Sequence, residues 1–130
     1  MNPQIPAPVP LVSVLVPMYN HERFVHMCLA SILNAGWNRL ELIVIDDGSS
    51  DHSLQVAQDW AARHGEHFEH VDISSQANQG ITRTLNRLIA KARGEYVVVI
   101  ASDDLLTHNS IAIRHAALQA HPEAMAVFAD

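Results

Sequence analysis

Apolar residues in this chain fall into short β-branched runs separated by longer stretches with helical spacing. Val12 to Val16, Leu40 to Ile45 and Tyr96 to Ala101 are the strongest runs. The last reads as a strand buried on both faces, the kind found in parallel sheets covered by helices. A weaker run over 68–73 is interrupted by charges and is expected near a sheet edge. Residues 125–129 read as one more strand. Between these runs the spacing predicts four helices. The first covers about 22–35, with Phe24, Cys28, Leu29, Ile32 and Leu33 on one stripe and Gly36 ending it. The second runs to about His64, capped by Ser50 or Asp51 and stopped by Gly65. The third opens at Asn78-Gln79-Gly80, points Leu85, Leu88, Ile89 and Ala92 inward, and ends at Gly94. The fourth runs from Asn109 or Ser110 to about Ala120. Strand-helix alternation of this kind predicts an α/β domain, a mainly parallel sheet with helices on both faces.

The loops carry the chemistry. Asp46-Asp47 follows Leu42-Ile43-Val44-Ile45, and Asp103-Asp104 follows the run ending at Ala101. Both pairs are therefore expected at the carboxyl ends of strands, where open α/β sheets bind ligands. Adjacent carboxylates repel unless a cation, donors or a shared proton relieve them. Asp51 is read as a simple turn former and helix cap. Glycines stand only at 36, 48, 65, 80 and 94, so neither a G-x-G-x-x-G turn nor a P-loop can be written. The acidic pairs can be turn formers and helix caps, but the missing motifs point toward metal-mediated phosphate binding, through magnesium or manganese, hard ions that use one or two protein carboxylates.

Composition narrows the classes. The chain has 130 residues, one domain's worth, and 48% of them are hydrophobic. Net charge is −6 with eight Lys and Arg, which argues against a nucleic-acid surface. The single cysteine, Cys28, excludes an intrachain disulfide and a cysteine cluster for zinc, and is expected as a small buried residue. Residues 1–10 hold four of the six prolines and are expected as a flexible, extended lead before the domain at 11–130. No apolar run reaches the ~20 residues of a membrane span, and the start lacks a signal-peptide pattern, so a cytoplasmic location is expected. Arg83 and Arg87 stand one turn apart on the third helix and are read chiefly as solvated charges, with phosphate as their other target. His64, His67 and His70 are spread over helix, loop and strand and are not read as a metal site.

Four motifs in order carry a resemblance. Val12-Ser13-Val14-Leu15-Val16-Pro17-Met18-Tyr19-Asn20, Ile45-Asp46-Asp47-Gly48-Ser49-Ser50-Asp51, Asn78-Gln79-Gly80 with Asn86, and Gly94-Glu95-Tyr96 through Ser102-Asp103-Asp104 resemble the family-two glycosyltransferases of the GT-A fold. The resemblance covers residues 11–130. It implies a Rossmann-like nucleotide-diphospho-sugar transferase that moves a sugar from a UDP- or dTDP-sugar to an acceptor hydroxyl in glycan synthesis. Pro17, Tyr19, Asn20, Asp46, Asp47, Asn78, Gly80 and Asp103 would then bind the nucleotide. Tyr19 would lie against the base and Asp47 would accept its imide N–H, while Asp46 holds the loop. Gly80 would allow close backbone approach. Asp103 and Asp104 would bind Mn2+ or Mg2+. Ala101 stands where the family commonly has its first aspartate.

The same resemblance places the catalytic base beyond Asp130 and makes the chain the donor-binding part of a truncated domain, with an exposed apolar edge that favours self-association. Membrane attachment is expected only through regions or partners outside this chain. Two other classes fit less of the sequence. A non-catalytic nucleotide-sugar-binding or scaffold domain would need the same binding residues and no base. A response-regulator receiver would need its acidic pair after the first strand and a lysine after the fifth, whereas the only lysine is Lys91, within the third helix.

Overall fold

A computed structural model describes residues 9–128. Four parallel strands, β1 (Val12–Met18), β2 (Leu40–Asp46), β3 (His70–Ser75) and β4 (Tyr96–Val99), form one sheet in the order β3-β2-β1-β4. The helices are α1 (Val25–Leu33), α2 (Ser53–His64), α3 (Ile81–Lys91) and α4 (Ser110–Ala120). Strand alternation decides which helix covers which face. Val12, Val14, Val16, Leu40, Leu42 and Val44 pack with α1, α2 and α4 through Leu29, Ile32, Trp60 and Ile111. Leu15, Ile43 and Ile45 face the other way, onto Leu88, Leu85 and Ala92 around α3. Helices thus lie on both faces, and all carboxyl strand ends lie at one edge of the sheet.

Several expectations shift. The strand buried on both faces is not β4: Tyr96 and Val98 face the core, while Val97 and Val99 are 49% exposed on the opposite face. Among the described residues β4 is an edge strand, and β1 and β2 are the strands buried on both faces. In this order β1 lies between β2 and β4, the strands that the two acidic pairs follow. No strand forms over 121–128, because the described residues offer 125–128 no partner; Ala129 lies outside the described residues. Met125 and Phe128 are almost fully exposed. Ile89 points to solvent, since only the Leu85, Leu88 and Ala92 stripe of α3 meets the sheet. Helix α1 begins three residues later than expected, because residues 22–24 make a turn that serves the loop before it. The expected proline-rich lead lies, up to residue 8, outside the described residues. Its last part is anchored: Trp37 Nε1 donates to the Pro10 carbonyl at 2.9 Å, and Arg39 Nη1 to the Val9 carbonyl at 2.7 Å.

At the opposite, amino end of the sheet, Glu41 is fully buried on the α3 face. Its carboxylate accepts from Ser13 Oγ at 2.6 Å, the Arg93 backbone N–H at 2.6 Å and Arg93 Nε at 3.2 Å. Ser13 Oγ in turn accepts the Gly94 N–H at 2.8 Å. Burial pushes the Glu41 carboxyl upward, but the bonds from Ser13 and Arg93 outweigh it and hold it below its ordinary value. The cluster fixes the connection between α3 and β4. Glu41→Gln keeps the shape and loses the charge-assisted bonds, so it should cost about 1–2 kcal/mol in urea unfolding. An unchanged midpoint would mean that these bonds do not hold the connection.

Candidate functional site

The loop after β1 ties together the turns after β2 and β4. Asn20 takes a left-handed conformation, φ 54°, which Asn tolerates better than most residues. Its backbone N–H donates to Ser49 Oγ at 2.9 Å, and its Oδ1 accepts the Ser50 N–H at 2.8 Å. Glu22 continues the seam, its N–H donating to Asp51 Oδ2 and its carboxylate accepting the His52 N–H, both at 3.1 Å. Between them, His21 turns toward β4: Nδ1 lies 2.7 Å from Ser102 Oγ and Nε2 3.7 Å from Asp103 Oδ2. Tyr19 is 48% exposed beside this seam, and Pro17, half-buried, pairs in register with Ile45.

Asp46 and Asp47 do different work although both are buried. Asp46 accepts from the Ser49 backbone N–H at 3.2 Å and from Ser49 Oγ, closing its own turn. Asp47 reaches across to the loop before α3. Its Oδ1 accepts from Gln76 Nε2 at 2.9 Å and the Gln79 N–H at 2.8 Å, and its Oδ2 from the Gly80 N–H at 3.0 Å. Burial raises the Asp47 carboxyl, and the bonds from Gln76, Gln79 and Gly80 outweigh it and keep it below the usual range, while the Thr84 hydroxyl donates to the Gly80 carbonyl at 2.8 Å. An ionised carboxylate has about four acceptor sites, so three donors leave one, on Oδ2.

Two glycines make this contact feasible. Gly48 has φ 77°, and a Cβ there would sit 2.7 Å from the Asn78 backbone N, while Asn78 Nδ2 donates to the Asp47 carbonyl at 3.0 Å. Gly80 has φ 90° and caps α3, but nothing lies within 4 Å of where its Cβ would be. Within this chain the positive φ, which aims the Gly80 N–H at Asp47, accounts for the glycine, and the space beside it is open.

Asp103 and Asp104 sit on a turn beyond β4, closed by the Asp104 N–H donating to the Ala101 carbonyl at 2.9 Å. Both are exposed, and among the described residues neither carboxylate accepts a hydrogen bond. Cys28 is buried behind this turn, with Sγ 3.5 Å from the Ala101 carbonyl. Burial first, then the charges of Asp104 and Asp103, push its thiol up to about 12, so it stays a neutral packing residue. Two exposed carboxylates form an oxygen donor set that fits a hard divalent ion retaining waters or phosphate oxygens. No group of three His, Cys, Asp or Glu side chains gathers into a cage among the described residues.

The remaining residues singled out in the sequence lie elsewhere or play supporting parts. Asp51 accepts from the Ser53 N–H at 2.9 Å at the start of α2. Arg87 donates to Gln76 Oε1, which orients the amide that holds Asp47; Arg83 and Asn86 are exposed on α3. His64 stacks on Trp60 at 4.9 Å, His67 lies 4.0 Å from Glu66, and His70 begins β3. Sequence reasoning missed His21, Gln76 and Thr84. His21 had a signal, since it directly follows Tyr19-Asn20 in a loop leaving a strand end. Gln76 and Thr84 had none, because Gln76 matters by reaching Asp47 across the chain and Thr84 by holding Gln76 and the Gly80 carbonyl.

A sequence profile for glycosyl transferase family 2 matches residues 13–129. The chain belongs to this family. Among its relatives, the uncharacterized glycosyltransferase EpsJ of Bacillus subtilis is 36% identical over 99 residues, covering 76% of this chain and 28% of that protein. Among solved structures, the mannosyltransferase PcManGT of Pyrobaculum calidifontis, in complex with GDP-Man and Mn2+, superposes with a TM-score of 0.77 at 27% identity, covering 90% of this chain and 34% of that one. TarS of S. aureus, in complex with UDP-GlcNAc, gives a TM-score of 0.75 at 27% identity, covering 86% and 32%. The family-two chain described here therefore spans about a third or less of the length of these proteins. No helix of the described residues is long and apolar enough to cross a membrane.

Proposed function

We propose that this chain holds the donor of a family-two sugar transfer, a uridine or thymidine diphosphate sugar, with the base between β1 and β2 and the diphosphate toward β4. The observation that carries the reading is the state of Asp47. A carboxylate kept ionised with one acceptor site left on Oδ2 suits a base with a single imide N–H, as uracil and thymine have. Guanine presents two adjacent N–H donors and asks for both oxygens, and Oδ1 is already saturated by Gln76 and Gln79. Adenine offers no ring N–H on that edge.

Tyr19, exposed at the mouth of this cleft, supplies a flat apolar surface for the base. Pro17 and Asn20 shape the loop beneath it, and Asp46, Asn78 and Gly80 keep Asp47 aimed. Asp103 and Asp104 would hold Mn2+ or Mg2+, which when bound supplies Lewis-acid stabilisation of charge on the departing diphosphate. The acceptor hydroxyl would attack the anomeric carbon and lose its proton to a base that we assign to no residue of this chain. The test is calorimetry with UDP, dTDP, GDP and ADP, each with Mn2+ and with chelator. The expected order places UDP and dTDP first, strengthened by the ion. Equal binding in chelator, or a preference for ADP, would overturn the reading.

A further inference from the structure

We propose that His21 is a positioning residue for the acidic turn after β4: its imidazole, held against Ser102, sets where the Asp103 carboxylate rests for the divalent ion. The inference rests on the reading of Asp103 and Asp104 as the carboxylates of the divalent ion. Its starting point is how little freedom His21 has. Its backbone N–H donates to Ser53 Oγ at 2.9 Å, and its carbonyl accepts from the N–H groups of Phe24 at 2.9 Å and Val25 at 3.0 Å. The Phe24 ring meets the imidazole edge-on, with centroids 6.1 Å apart and planes at 75°. Asn20 before it and Glu22 after it are both bonded to the turn that follows β2. Only His21 of this loop carries the linkage on to β4.

The two ring contacts choose the tautomer, which we assign from them. Ser102 Oγ is buried, and its only partner among the described residues is His21 Nδ1 at 2.7 Å. If Nδ1 carried the proton, the bare Nε2 lone pair would face the Asp103 carboxylate 3.7 Å away. With the Ser102 hydroxyl donating to Nδ1, Nε2–H faces that carboxylate instead, and both contacts are attractive. At 3.7 Å the second contact is not a hydrogen bond but an oriented N–H dipole that biases where Oδ2 rests. Asp103 is thus steered on one oxygen and left open on the other, as an ion-binding carboxylate supported by an outer partner should be.

The experiment uses Mn2+ as the probe, followed by the electron paramagnetic resonance signal of the free ion, in the unsubstituted chain and in H21A, H21Q and H21N. UDP binding in chelator and the thermal midpoint are measured beside it. H21A should weaken Mn2+ binding by roughly 3- to 10-fold, at or below the low end for outer-shell partners because the contact is a dipole and not a hydrogen bond, with UDP binding in chelator held. Gln, whose amide N–H reaches the place of Nε2, should recover most of the loss, and Asn, which reaches only Ser102, should not. Recovery by Asn and not by Gln would reduce His21 to a prop for Ser102 and overturn the inference, even if H21A proved too unstable to measure. Normal Mn2+ binding by H21A, in a chain whose Mn2+ binding is lost in Asp104→Ala, would overturn it alone. Absence of Mn2+ binding in the unsubstituted chain would overturn both this inference and the reading it rests on.

Discussion

Asp47→Ala is expected to lower nucleotide affinity by about tenfold to a hundredfold, with metal or in chelator alike. Loss of a charge-assisted hydrogen bond costs about 1.5–3 kcal/mol, which sets that range. The structure adds a second consequence that the sequence did not disclose. Asp47 also holds Gln76 and the backbone N–H groups of Gln79 and Gly80, so its removal frees the loop that opens α3. The variant should therefore be less stable as well as weaker in binding. The stability loss should itself depend on pH. Donors hold the Asp47 carboxyl below its ordinary value, so its contribution is fully present above about pH 4 and disappears as pH falls through the lowered value. The gap in thermal midpoint between the unsubstituted chain and Asp47→Ala should accordingly be wide at pH 7 and narrow in acid. A folded variant with unchanged UDP affinity would move the base site elsewhere.

The elements that periodicity revealed were those packed on both sides. β1 and β2, with their continuous apolar runs, and Cys28, Leu29 and Ile32 of α1 were legible because burial wrote them into consecutive or regularly spaced residues, whereas Phe24, expected on the same stripe, precedes α1 and is 45% exposed. β4 misled because Tyr96 to Ala101 has the same composition, yet Val97 and Val99 have no cover among the described residues. Apolar composition reports a preference for burial, not whether a neighbour supplies it. The 125–128 segment shows the same limit: β-forming residues do not make a strand without a partner. The carboxylates were legible as a site because doubled charge at a strand end needs relief. Their division of labour was not. Asp46 and Asp47 are adjacent and both buried, but one bonds within its own turn and the other to residues about thirty positions on, a distinction made by topology alone. His21 was overlooked although it follows Tyr19-Asn20, because the partner that gives it a role, Ser102, lies 81 residues away.

Asp104→Ala is expected to abolish the metal dependence of nucleotide binding while leaving stability nearly unchanged. Asp104 is exposed and its carboxylate holds no other group among the described residues, so nothing in the fold loses a partner when it goes. That separates it from Asp47, whose loss loosens a loop. With Mn2+ present, UDP affinity should fall to the level seen in chelator, about tenfold to a hundredfold for the loss of one charged ligand. In chelator the sign should change. The unsubstituted chain then presents two carboxylates to an anionic diphosphate, and removing one relieves like-charge repulsion, worth about 1 kcal/mol at 4 Å in water. Asp104→Ala should thus bind UDP no more weakly than the unsubstituted chain once the ion is gone, and Asp47→Ala should bind it more weakly under both conditions. The comparison is a two-by-two titration by calorimetry. If Asp104→Ala weakened binding equally with and without the ion, its carboxylate would be contacting the nucleotide itself, and the assignment of Asp103 and Asp104 to the cation would fail.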